Sequence, residues 1–198
     1  MDYRVLVTLI VGAVLVNNYI LRQFLGVCPF LGVSKDMKGA VGMSAAIIFV
    51  MILATAVTWP IQRYLLDRNG LGFLQTIVFI LVIATLVQIV EIILKKYIPS
   101  LYKILGIYLP LMTTNCAIFA VTIVNIKNEY SYIEALVNAF GSGLGFLLGM
   151  VIFSGIREYT ENADPPKAFK GLPITLISAA LLSFSFFGFN GVIENMFR

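Results

Sequence analysis

Apolar runs of membrane-spanning length recur along this chain with only short charged connections between them, and that pattern leaves few folds open. The runs fall at residues 5–33, 39–59, 73–94, 104–125, 135–156 and 172–193. A spanning helix needs about 20 apolar residues, so six of them use up most of a 198-residue chain. Only 12% of the residues are charged, roughly half the share usual in a soluble domain. In hydrocarbon every backbone N–H and C=O must be satisfied within the protein, which long continuous apolar runs achieve as helices. The expectation is an all-α membrane protein of six transmembrane helices, a single integral membrane domain over residues 1–198 with no room for a large soluble part.

Two runs are interrupted. The first is too long for one untilted span, is divided by Asn17, Asn18 and Arg22, and contains Gly26-Val27-Cys28-Pro29. The fourth contains Pro110, Thr113, Thr114, Asn115 and Cys116. Such interruptions persist in a membrane only inside protein or at a site, because each freed backbone group costs several kcal/mol in hydrocarbon. Of seven prolines, only Pro29 and Pro110 fall inside apolar spans, and each accompanies one of the chain's two cysteines. The spacing predicts two breaks. A short helical piece should begin near Cys28, and another at Cys116, capped by Thr113, Thr114 or Asn115. Elsewhere Pro60 is expected to stop the second span, Asn69-Gly70 to turn the chain, and Pro173 to open the sixth span. Three spans lie in each half, and an odd number reverses direction. The outline is that of two inverted three-helix repeats, about 1–97 and 98–198, the first helix of each broken near the membrane midplane.

Lys and Arg divide nine against five between the two sides, which places both termini outside the cytoplasm. The first run lacks a small-residue cleavage site and is read as part of the mature chain. The absence of histidine removes the commonest metal ligand and the usual general base. No phosphate loop, dinucleotide fingerprint or catalytic triad is present. At half-helix N-termini the backbone dipole favours a thiolate or an anionic cluster, with Gly26, Pro29, Thr114 and Asn115 as the immediate surroundings. Three uses of the thiols stay open: small buried hydrophobes, a disulfide, or ligands to a metal or iron–sulfur group. The last needs four ligands where the chain supplies two, so a second chain would bring the others. Asn17, Asn18 and Glu91 are candidates for an ion path. The two asparagines serve equally as caps of the break, and Glu91, with Gln88, as part of a snorkelling pair with Lys95. Gly141, Gly145 and Gly149 read as a close helix-packing face.

Val16-Asn17-Asn18, the stretch from Phe24 to Ser34, Leu105-Gly106-Ile107-Tyr108-Leu109-Pro110-Leu111 and Thr113-Thr114-Asn115-Cys116-Ala117 resemble the RnfA/NqrE family of bacterial membrane subunits. The resemblance covers essentially the whole chain. Asn17, where NqrE-type chains carry an acidic residue, and proline after the first cysteine are more similar to the Rnf than to the Nqr version. The resemblance implies a subunit of an inner-membrane pump coupling electron transfer between ferredoxin and NAD to transport of Na+ or H+. It implies a [2Fe–2S] cluster shared with a homologous six-helix partner, RnfE, this chain's ligands being Cys28 and Cys116. The further partners implied are RnfB, RnfC, RnfD and RnfG, with flavins and other clusters on those subunits. A sodium-pumping NADH:quinone oxidoreductase subunit, and a cofactor-free transporter half whose broken helices bind an ion directly, are the alternative readings.

Overall fold

The structure, a computed structural model, describes residues 9–16, 18, 21, 23, 25–34, 37–70, 72–97, 115–163, 166 and 169–196. Asn17, Arg22, Pro110, Thr113 and Thr114 lie outside the described residues. Among the described residues the regular structure is entirely helical. A short N-terminal helical segment widens into a π-helical turn at Gly12–Val16. Apart from single turns, the described residues then form α1 (Val27–Val33), α2 (Met37–Ile61), α3 (Gln75–Tyr97), α4 (Cys116–Lys127), α5 (Tyr132–Asn162) and α6 (Leu172–Met196). Among the described residues three stretches are long and apolar enough to cross a membrane: Gly39–Leu66, Gly72–Tyr97 and Tyr132–Thr160. Cys116–Lys127 and Leu172–Phe186 are shorter apolar helices.

Two boundaries correct the sequence expectation. Pro60 does not stop the second span: α2 runs through it to Ile61 and widens into a π-turn at Gln62–Leu66. Proline takes one N–H from the ladder and crowds the preceding turn, but helices in a membrane tolerate this where neighbouring helices support the freed backbone. The Asp67 N–H donates to the Gln62 carbonyl, five residues back. The chain then ends this helix at Gly70, left-handed at φ 66°, as Asn69-Gly70 suggested. The second correction is Arg157. Expected to begin a loop, it is 9% exposed within α5, which continues to Asn162.

The helices form for local reasons. Ser44 and Thr58 donate their hydroxyls to the carbonyls of Ala40 and Ala54, both at 2.7 Å, so polar groups inside α2 are satisfied one turn back. α5 starts where Glu134 Oε2 accepts the Ser131 N–H at 2.9 Å. The core is the seam between α2 and α5. Met43, Ile47, Val50, Met51 and Ala54 recur at helical spacing against Ala139, Phe146, Met150 and Phe153. Ala117, Ile118 and Val121 of α4 and Ile83 and Val87 of α3 close it. Between membrane helices there is little hydrophobic gain, so close approach and packing hold the seam. Gly143 allows it: a Cβ there would sit 2.7 Å from Ile48 Cγ1 of α2. Gly141 and Gly145 serve another face of α5, where a Cβ would meet Ala13 Cβ at 3.1 Å and the Ala13 carbonyl at 3.1 Å respectively. The packing role expected of that glycine spacing is therefore met by Gly141 and Gly145 against the N-terminal segment.

Candidate thiol site between two helix breaks

At the first break Leu25 and Gly26 form a turn, and α1 begins at Val27. Gly26 is left-handed, φ 87°, which L side chains adopt only at a cost. The place is also full. A Cβ on Gly26 would lie 3.2 Å from Ala117 Cβ, 3.2 Å from Phe146 Cε2 and 3.5 Å from Asn115 Oδ1. Pro29 falls in the first turn of α1, where a missing N–H is harmless. Cys28 is exposed.

The start of α4 delivers the other half of the site. Asn115 is extended (φ −69°, ψ 110°), and its Oδ1 accepts the Ala117 N–H at 3.0 Å, capping α4. Its Nδ2 is buried with no hydrogen-bond partner. Cys116 is the first residue of α4, half-buried and free. The Gly26 N–H donates to Cys116 Sγ at 2.8 Å. Residues 90 positions apart in sequence thus meet at one sulfur.

Around this point the chain is tied together by polar contacts. Asn18 is 2% exposed; its amide donates to the carbonyls of Gly145 at 2.8 Å and Val14 at 3.2 Å, and its Oδ1 accepts the Leu21 N–H at 3.4 Å. Its side chain thus satisfies backbone on both sides of the interruption. Ser183 of α6 donates to the Leu21 carbonyl. Arg157 Nη1 donates to the Leu31 carbonyl at 3.0 Å and to Ser34 Oγ at 2.7 Å. A cation there meets the negative end of α1. Glu91 lies away from these contacts, half-buried on α3 in the row that includes Val87. Asn17 and Thr114 are outside the described residues.

The Rnf-Nqr subunit family of membrane proteins matches residues 6–193. The chain belongs to that family. Among its relatives, the A subunit of the Na(+)-translocating ferredoxin:NAD(+) oxidoreductase complex of Acetobacterium woodii is 54% identical over 94% of this chain and 97% of its own. The A subunit of the ion-translocating oxidoreductase complex of Syntrophotalea carbinolica is 51% identical over 95% and 97%. The protein of that name from Azotobacter vinelandii is 50% identical over 96% and 98%. For an Rnf-Nqr subunit the two thiols are the notable donors: among the described residues no three His, Cys, Asp or Glu side chains converge as a metal site would require. Cys28 is exposed two residues after Gly26, whose N–H meets Cys116 Sγ.

Sequence reasoning missed Arg157 and Ser34. The signal was present in the period: Met150, Phe153 and Arg157 share one helical face, so the arginine continues a core stripe. It also missed the buried pair at the far end of α4, where Asn138 Nδ2 donates to Asn125 Oδ1 at 2.6 Å.

Proposed function

We propose that this chain is the A-type membrane component of a redox-driven pump that couples electron transfer between ferredoxin and NAD to movement of Na+ or H+. The observation that carries this is the meeting of the starts of α1 and α4, with the Gly26 N–H on Cys116 Sγ and Cys28 two residues further on and exposed. The relatives carry the names of A subunits of ion-translocating oxidoreductase complexes, which supports the assignment. Cys28 and Cys116 would hold half of a [2Fe–2S] cluster, and the homologous partner RnfE would supply the other two thiolates. When bound, such a cluster supplies one-electron transfer through the membrane. This chain's own part is to bring two thiols together and offset their charge with the Gly26 N–H and the N-terminus of α4. The subunits RnfB, RnfC, RnfD and RnfG would carry the other redox groups.

The same reading takes the chain as six transmembrane helices in two inverted repeats within the bacterial inner membrane. Among the described residues a helix holding a cysteine in its first turn and two longer helices recur in that order in each half: α1, α2, α3 and α4, α5, α6, which supports it. Setting the buried Arg157 aside turns nine against five basic residues into eight against five, so the charge bias still favours termini outside the cytoplasm.

Co-purification tests the assignment. The chain isolated with its partner subunits is expected to carry thiolate–iron absorption, and the chain purified alone to carry none. Full iron content in the lone monomeric chain would overturn the shared site. A reporter that needs export, fused after Arg198, is expected to be active.

A further inference from the structure

A cavity of about 490 Å³ opens where the π-turn after α2 meets the connection between α4 and α5. Its walls are rich in acceptors. Gln62 is 6% exposed, and its Nε2 donates to Asp67 Oδ1 at 2.7 Å. That bond fixes which end of the amide is which. The Oε1 is left buried with no hydrogen-bond partner. A buried acceptor without a donor is uncommon in native proteins and calls for a missing donor or a cation. Asp67, Glu129 and Glu134 bring three carboxylates to the same cavity, against one guanidinium from Arg63. The indole N–H of Trp59 is spent on the Tyr130 carbonyl at 2.9 Å, and the Ser131 N–H on Glu134.

We propose that this cavity binds a monovalent cation, with Gln62 Oε1 as its buried ligand and Asp67, Glu129 and Glu134 supplying the negative field. The charge of the ion follows from the geometry. A divalent cation such as Ca2+ wants several carboxylate oxygens at close range, and among the described residues no three acidic side chains converge in that way. One amide oxygen and dispersed carboxylates suit a singly charged ion that keeps part of its water. Ile126, at the end of α4, lines the cavity, so the site lies about 15 Å along that helix from Cys116. It depends on neither thiol.

Trp59 is the only tryptophan in the chain and lines the cavity, which provides the readout. The full chain, in nanodiscs, is titrated with NaCl, LiCl, KCl, MgCl2 or CaCl2 against choline chloride at constant ionic strength while Trp59 emission is followed. A saturable change with at least one alkali cation and none with choline is expected. Gln62→Leu and Glu129→Gln are each expected to weaken half-saturation roughly tenfold or more. Glu129 is exposed, in a short connection, so Glu129→Gln keeps the test decisive if Gln62→Leu misfolds. A response that tracks ionic strength alone, a saturable response confined to Mg2+ or Ca2+, or curves identical in wild type and a folded variant would each overturn the proposal.

Discussion

Cys116 opens a 12-residue helix whose first turn is capped by the Asn115 side chain, whereas Cys28 sits in a seven-residue helix that no side chain caps at its start. α4 has its own cap, a basic residue (Lys127) in its last turn and apolar side chains in the core. α1 has little of its own. Helices shorter than about 12 residues are marginal without tertiary support, and α1 is held from outside at both ends. Its start is wedged against Ala117 of α4 and Phe146 of α5, and its end is held by Arg157 of α5. The second half of the chain therefore builds its own site and also positions the first. Sequence symmetry between two cysteine motifs does not imply equal construction.

The sharpest way to break this comparison is Arg157→Met. It removes two hydrogen bonds from a charged donor and is expected to cost about 3 kcal/mol, seen as a lower unfolding midpoint of the complex. Hydrogen exchange should show α1 losing protection while α4 keeps most of its own. Equal loss in both helices would mean that α4 is no more self-sufficient than α1.

Gly26→Ala comes next. Forcing a side chain into a left-handed residue, against neighbours 3.2 Å away, is expected to cost about 2 kcal/mol. Shifting the Gly26 backbone should also uncover Cys116 Sγ and so raise the rate at which a maleimide reaches it in the chain purified alone. In the wild-type chain the exposed Cys28 should react first. Unchanged Cys116 reactivity in the variant would contradict the contact between the Gly26 N–H and that sulfur.

The smallest effect is expected from Asn115→Ala. Loss of the cap costs about 1 kcal/mol, partly offset because the variant no longer buries an Nδ2 without a partner. Fraying should be confined to the first turn of α4. Spread of the effect into α1 would show that the two helices share more than one hydrogen bond.

The starts of α1 and α4 were legible because hydrocarbon tolerates proline and small polar residues inside an apolar run only where protein satisfies the freed backbone. Helix starts at Val27 and Cys116 fall within a residue of expectation, and Asn115 acts as the cap its residue type suggests. Pro60 misled because proline's local rule leaves out the support of neighbouring helices, which lets α2 run through it. Arg157 misled because charge was weighed over period: a guanidinium at the end of an apolar run reads as loop, although the residues four and seven positions earlier face the core. The contact of Gly26 with Cys116 could not be read from either motif alone, since it depends on how α1 and α4 pack across 90 residues of sequence. The acceptor cavity at Gln62 was illegible for the same reason, its walls coming from residues near 62 and near 130.

The central claim is that these two unequal helices deliver thiols to one shared redox group. Its most direct test is iron content and the reduced-state electron paramagnetic resonance spectrum of the intact complex, compared among wild type, Cys28→Ser and Cys116→Ser. Each substitution is expected to remove the same single iron–sulfur signal and to abolish coupled ferredoxin:NAD turnover, while flavins on other subunits stay bound. If both variants assemble with full iron, an unchanged spectrum and undiminished ion transport, Cys28 and Cys116 do not hold the relay.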